Sequence, residues 1–285
     1  MKKSIIINPL LEIENHTDYH LMIEKIIYDG CFDVLEIWDT CDKKVLDLFA
    51  KYSKYIEFDV SLSPLMSINS LSLNSDVYDI TVKSMQHVFV RLQLLAELGV
   101  RHISISSPNV CSNINRAKQI DNFNSVLKSI CAYAKTLNIS VCFEGFDISV
   151  DKKRLLGVTS ELYDFLEQLR IECPNLLLTW DLAHICLEGT DYLDSLNKLN
   201  KFIGRIHISN YSLDKEKWFY GDKHLPFGEF GCISNEDIRN VIDYAKGLSN
   251  ISVAFEVASH KRIKGIDSFE HTYSYLCNLT KLYLY

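Results

Sequence analysis

The sequence predicts an α/β protein, a single-domain (β/α)8 TIM barrel over residues 1–285, on three observations. Short β-branched runs alternate with longer amphipathic segments from one end of the chain to the other, and strict alternation calls for a parallel sheet with right-handed crossovers. The strand–helix unit recurs eight times, the number that closes a barrel. No Ser/Gly/Pro-rich linker, low-complexity tract or charge block divides the chain, so one domain accounts for its length. A doubly wound open sheet is the alternative, but its usual G-x-G-x-x-G after the first strand is missing.

In order, the strands expected are "SIIIN" (4–8), "FDVLEIWD" (32–39), "YIEFDVSLS" (55–63) and "RHISISS" (101–107), then "SVCFEGFD" (140–147), "LLLTWDLAH" (176–184), "RIHISNY" (205–211) and "SVAFEV" (252–257). Between them, "DYHLMIEKIIYDG" (18–30), "SMQHVFVRLQLLAELG" (84–99) and "SELYDFLEQLRIE" (160–172) repeat apolar residues at three and four positions, the helical period. Thr17 and Ser160 stand at helix starts, and Gly30 and Gly99 at helix ends, as capping chemistry favours. "GDKHLPFGEFG" (221–231) fits neither element. Pro226 lacks a backbone donor and its three glycines favour loop conformations.

Composition narrows the function. At 47% hydrophobic and 24% charged the chain has the balance of a globular protein. No apolar run approaches the roughly 20 residues that cross a bilayer, and "MKKSIIINPL" is too short in its apolar part for a signal peptide. A cytoplasmic protein without a membrane partner is expected. Nine cysteines, scattered and without a C-x-x-C pair, are expected to be reduced and mostly buried. The formal charge of −7 argues against a polyanionic partner, and "HKRIKG" (260–265), the one compact basic cluster, is an ordinary solvated loop.

A barrel places its chemistry at the carboxyl ends of its strands. There the later units carry Glu144, then Asp181 and His184, then His207, then Glu256, each in an apolar run where an unpaired charge is costly. One Glu in a strand is ordinarily a paired structural residue. Four strand ends in succession instead predict a cluster of oxygen donors with one imidazole, suited to one divalent cation, Mn²⁺, Mg²⁺, Co²⁺ or Zn²⁺.

"FEGFD", "WDLAH", "IHISN", "GDKHLPFGEFG" and "FEV", in that order at those strand ends, resemble the xylose-isomerase-like TIM barrels, which group sugar isomerases and epimerases with the type IV apurinic endonucleases. The resemblance covers essentially the whole chain. It implies Glu144, Asp181, His207 and Glu256 as metal ligands and His184 as a contact to a substrate oxygen. It also implies that the 221–231 loop folds over the site with Asp222 and His224 inward, Gly228 and Gly231 letting the backbone pass close. In the endonuclease branch the matching Asp and His hold an additional zinc, so a second metal at His184, Asp222 and His224 is the alternative.

That branch also needs histidines at the early strand ends, where "DVSLSPL" (59–65) and "SISSPNV" (104–110) have none and His102 opens its strand at the wrong end. Nucleic acid is therefore not the expected partner, and DNA repair stands as a lesser alternative. The expected activity is metal-dependent isomerisation or epimerisation of a small sugar or polyol ketone. Proton transfer beside a carbonyl needs a Lewis acid on the oxygens and a base at the carbon, and Glu144 and Glu256 are the catalytic pair. Returning the proton to the same carbon epimerises; returning it to the neighbour isomerises.

A dehydratase or lyase acting on an inosose-like ketone is the runner-up, since the same enolate can expel a hydroxyl. A non-catalytic binding subunit is the last alternative and would hold no metal. Glu36 and Trp38 in "LEIWD" and Lys215 are further candidate substrate contacts, with Trp218, Phe219 and Tyr220 closing the pocket or meeting a second copy in a homodimer. "HISNYSLDKEK" lacks the Arg of ketohexose epimerases, and Ser209 and Asn210 replace an acidic residue of many relatives, which argues for a different substrate.

Overall fold

A computed structural model describes residues 1–11, 19–39, 43–112, 114–228 and 230–285. Eight strands, Lys2–Ile6, Val34–Trp38, Glu57–Ser61, His102–Ser106, Ser140–Glu144, Leu176–Asp181, Ile203–Ser209 and Ser252–Glu256, form one closed barrel. Each is parallel to its neighbours in chain order, and the eighth pairs with the first. Helices fill the connections, so the (β/α)8 architecture read from the alternation holds, and the open-sheet alternative falls. Among the described residues no helix is long and apolar enough to cross a membrane. The described cysteines carry free thiols, and Cys31, Cys131, Cys142, Cys173 and Cys277 are buried.

The strands read as nearly continuous apolar runs because both faces are covered. Outward side chains meet the helices: Phe143 of the fifth strand packs on Phe123 and Phe165 with ring centroids 5.6 and 5.5 Å away. Inward side chains alternate with them at period two. In the seventh strand that period aims Arg205, His207 and Ser209 at the axis.

Several boundaries differ from the sequence reading. The sixth strand stops at Asp181, and His184 lies in a helix, Leu182–Leu187, whose first free N–H groups Asp181 caps by accepting from His184 N at 2.9 Å. Leucine and alanine carry the apolar run into that helix, so the run conceals the switch. The seventh strand begins two residues earlier than expected, at Ile203, and ends at Ser209. Ser160 is not a cap: the helix Thr159–Arg170 begins before it, and its N-cap is Val158, which makes no side-chain bond. Gly30 (φ 62°) and Gly99 (φ 89°) do take the left-handed turn that ends a helix. Thr17 lies outside the described residues.

Two loop devices position the mouth of the barrel. After the fifth strand, buried Asp147 accepts from the backbone N–H of Val150, Asp151 and Lys152 at 3.3, 2.7 and 2.9 Å, tying the turn that carries Lys152 and Arg154. After the seventh, buried Asn210 donates to Pro226 O at 2.9 Å and accepts from Tyr211 N and Ile233 N at 3.0 Å, pinning the 221–231 loop. Gly231 passes close, as expected: a Cβ there would meet Asn210 Oδ1 at 2.2 Å. Gly228 has open space instead and serves through its φ of 102°.

Below the mouth, the axis is closed by a buried ionic cluster. Arg205 Nη1 lies 3.1 Å from Glu36 Oε2, and its Nη2 pairs with Asp59 Oδ2, with all three side chains almost fully buried. Burial pushes the Asp59 carboxyl up against the pull of Arg205, so the guanidinium is what keeps this acid-rich layer tolerable. Arg205→Ala strands two carboxylates and is expected to cost about 3–5 kcal/mol, read as a lowered urea midpoint; an unchanged midpoint would remove the cluster from the fold's requirements. Asp147 gives a pH signature. Although burial opposes it, the His184 pair and the backbone N–H groups hold its carboxyl down to about 2. A depressed folded pKa stabilises above the unfolded value and is lost as pH falls through about 2. Asp147→Asn is therefore expected to unfold at lower urea by about 2 kcal/mol at neutral pH, the gap to wild type closing between about pH 4 and 2; a gap independent of pH would refute the assignment.

Candidate metal and substrate site

A cavity of about 850 Å³ opens at the carboxyl ends of the strands, its wall including Glu36, Trp38, Glu144, His184, His207 and Glu256. Asp222 and His224 reach the same cavity from the 221–231 loop, His224 at a φ of 51°. Nine of the ten residues singled out in the sequence therefore surround or adjoin it, Asp181 standing just behind the wall with a carboxylate oxygen in the donor cluster. Lys215 does not: it is exposed and forms no part of the wall. Trp218 is 47% exposed and stands beside the wall residue His260, with ring centroids 5.4 Å apart.

The centre is His207. Its Nε2 lies 3.0 Å from Glu36 Oε2, while Nδ1 stands 3.3 Å from both Glu144 Oε1 and Glu256 Oε2 without alignment for a hydrogen bond to either. With Nε2–H donated to Glu36, the Nδ1 lone pair faces carboxylates, an arrangement that requires a positive charge between them. Donor atoms of Glu144, Asp181 and His207 all lie within 4.8 Å of one another. This orphaned, buried nitrogen in an oxygen-rich pocket fits a divalent cation. A proton can fill the place in its stead: against burial, Glu36, Glu144 and Glu256 raise the His207 pKa well above its ordinary value.

The carboxylates are tuned differently. Burial favours a proton on Glu36, yet Arg205, His207 and the Ser4 hydroxyl together hold its pKa down to about 2. Asp181 is pushed up to about 6 by burial and by the neighbouring acids Asp222, Glu256 and Glu144, against the pull of His184. The Ser209 hydroxyl lies 2.8 and 2.7 Å from its two oxygens, so Asp181 is oriented by Ser209 and the helix N-terminus together.

A second cluster surrounds Asp222. Its Oδ2 lies 3.7 Å from His184 Nε2, 3.5 Å from His224 Nε2 and 3.3 Å from Lys152 Nζ. His184 Nδ1 is 3.4 Å from Asp147, and His224 Nδ1 is 3.4 Å from Glu256 Oε1. Burial works against charge on His184, but Asp181, Asp147 and Asp222 raise its pKa to about 9, leaving a protonated imidazole that can donate to a substrate oxygen at neutral pH. Lys152 Nζ, 3.3 Å from Asp222 Oδ2, already supplies this group with one positive charge from the chain itself. Arg205, Asp59, Asp147, Lys152 and Arg154 were not singled out in the sequence. Period two from His207 points Arg205 inward, and an Asp four residues ahead of a polar turn signals the Asp147 loop; nothing local marks Lys152 or Arg154.

Comparison with known proteins agrees with the barrel fold. The family model described as a xylose isomerase-like TIM barrel matches residues 25–278. Among curated proteins no sequence matches. The crystal structure of an IolI protein with a bound zinc atom superposes with a TM-score of 0.76 at 17% identity, covering 99% of each chain. D-psicose 3-epimerase with D-tagatose from Clostridium cellulolyticum H10 gives 0.70 at 17% identity, over 95% of this chain and 89% of that one. A probable 3-DHS dehydratase, AsbF, from Bacillus anthracis gives 0.63 at 16% identity, over 98% and 97%. These likenesses are of fold; the family match spans most of the sequence, and the chain belongs to the xylose isomerase-like TIM barrel family.

Proposed function

We propose that the protein is a divalent-metal-dependent isomerase or epimerase of a small sugar or polyol ketone, working in the cytoplasm by proton transfer between Glu144 and Glu256. The observation that carries the reading is His207 Nδ1, buried and unbonded, 3.3 Å from both glutamates. Glu144, Asp181, His207 and Glu256 would hold the ion, which supplies Lewis-acid polarisation of the substrate carbonyl.

The chain's own residues supply the rest. Glu144 and Glu256 arrive from the fifth and eighth strands and converge on the two sides of one imidazole nitrogen. One is suited to take the proton from the carbon beside the carbonyl while the other returns it. Protonated His184 donates to a substrate oxygen and steadies the developing negative charge. Phe146, with its ring 4.4 Å from that imidazole, shields it from water. Glu36, kept ionised by Arg205, fixes the His207 ring so that Nδ1 faces the acids. A dehydratase is the second reading, favoured by the His184 proton, which could leave with an expelled hydroxyl. The cavity at the strand ends and the chain's formal charge of −7 support a small-molecule sugar rather than nucleic acid.

Metal analysis and deuterium exchange test this directly. Wild-type protein is expected to hold about one divalent ion per chain and to move deuterium from D₂O into a carbon beside the carbonyl of a ketose or inosose. Glu144→Gln and Glu256→Gln are expected to lose roughly 10²–10⁴-fold in exchange. Loss of hydroxyl with exchange would select the dehydratase, whereas a metal-free protein that exchanges nothing would end the enzyme reading.

A further inference from the structure

The cavity has a wall that this chemistry leaves unused, formed by Ser106, Ser107 and Asn109 after the fourth strand and by Lys152 and Arg154 after the fifth. We propose that Arg154 receives an oxyanion carried by the substrate, so that the natural substrate is an anionic polyol ketone, with a phosphate or carboxylate remote from the reacting carbons, rather than a neutral sugar. This inference rests on the isomerase reading for what happens at the other end of the molecule.

The charges of the wall are matched except at one place. Lys152 is paired with Asp222 at 3.3 Å and Asp151 at 3.6 Å, and Lys223 with Asp151 at 3.1 Å. Arg154 has no carboxylate within ion-pairing distance among the described residues, and its Nε is buried without a hydrogen-bond partner. Asp147, which acts on it through space, is already committed to three backbone N–H groups and to His184. Burial lowers the pKa of the guanidinium, whose side chain is half-buried at the cavity wall. An arriving oxyanion would give the fork the charged partner it lacks.

The side chain is also held ready. Asn109 Oδ1 accepts from Arg154 Nη1, and the two residues pair through an isolated backbone bridge. The guanidinium carbon lies 5.8 Å from the centre of the Phe146 ring, whose other neighbour is the His184 imidazole at 4.4 Å. One phenyl ring therefore separates the free cation from the group that meets the reacting end. A short polyol chain can pass along that ring, one end at His184 and the metal ligands, the other at Arg154. Fixing the fork in advance saves ordering entropy, so its binding energy is available for the substrate.

Matched substrate pairs test the proposal on the metal-loaded full chain: a ketopentose beside its 5-phosphate, and a ketohexose beside the corresponding keto-uronate. For wild type, kcat/KM for a charged member should exceed that of its neutral partner by roughly tenfold or more. Arg154→Gln should erase most of that ratio, chiefly through KM, and Arg154→Lys should keep part of it. Whether the phosphate or the carboxylate pair shows the preference identifies the oxyanion. Inorganic phosphate and malonate, titrated calorimetrically, give a readout free of catalysis: binding to wild type should weaken roughly tenfold in Arg154→Gln. A charged-to-neutral ratio near one in wild type, or a ratio unmoved by Arg154→Gln, overturns the oxyanion site while leaving the isomerase standing. Anion binding that depends on Arg154 in a protein that exchanges no deuterium does the reverse.

Discussion

The buried guanidinium of Arg205 is the constraint on which the rest of the site depends. Folding draws Glu36, Asp59, Asp181, Asp222 and Glu256 out of water around one axis, and each ion moved there costs several kcal/mol unless compensated. Arg205 compensates the lower pair, Glu36 and Asp59, completely enough that Glu36 stays ionised. An ionised Glu36 can then hold His207 Nε2, which turns Nδ1 toward Glu144 and Glu256. The order of dependence runs from Arg205 to Glu36 to His207 to the glutamates. Each step is an electrostatic requirement created by the step below it.

The two layers differ in how they close. In the lower one a permanent cation is part of the chain, so Glu36 and Asp59 always have a partner whatever the solution contains. In the upper one the balance falls to His207 and to the Asp222 cluster, where His184 and Lys152 stand beside the carboxylate. A permanent cation between Glu144 and Glu256 would make the layer inert. A titratable nitrogen there leaves a place that a proton or a divalent ion can take in turn, which is the property a Lewis-acid site needs. The structural cation and the candidate metal-ligating nitrogen thereby point to the axis from one strand, at Arg205 and His207.

How far this was legible in the sequence depends on whether the signal was local. The alternation of strand and helix runs, and the acids and histidine at the later strand ends, are written in short stretches, and the barrel and the cluster of Glu144, Asp181 and His207 follow from them. "WDLAH" misled because its apolar residues run unbroken from strand into helix, hiding that His184 belongs to the first turn of Leu182–Leu187. Lys215 looked like the cation of the site because it follows the seventh strand, yet it is exposed and the wall takes Lys152 and Arg154 instead. In "DKKR" these look like a solvated turn. Only the fold, through Asp147 beneath the turn, brings them over the cavity.

The loop at 221–231 shows why its composition is so irregular. Asn210 stands directly after the strand that delivers His207, and it binds the loop at Pro226 and the chain beyond it at Ile233. Asp222 and His224 are consequently placed by the same strand as the candidate metal ligand. Gly231 is small because the Asn210 amide fills the space a Cβ would need, and Gly221 and Gly228 supply left-handed turns. A stretch from 203 to 231 thus carries the structural arginine, the histidine that faces the acids, the serine that orients Asp181 and the two residues that reach over the cavity. With these held by one strand and one amide, a shift of the seventh strand would displace His207 and the loop together. The position of His207 relative to Asp222 and His224 is therefore fixed by main-chain geometry rather than by the flexibility of long side chains.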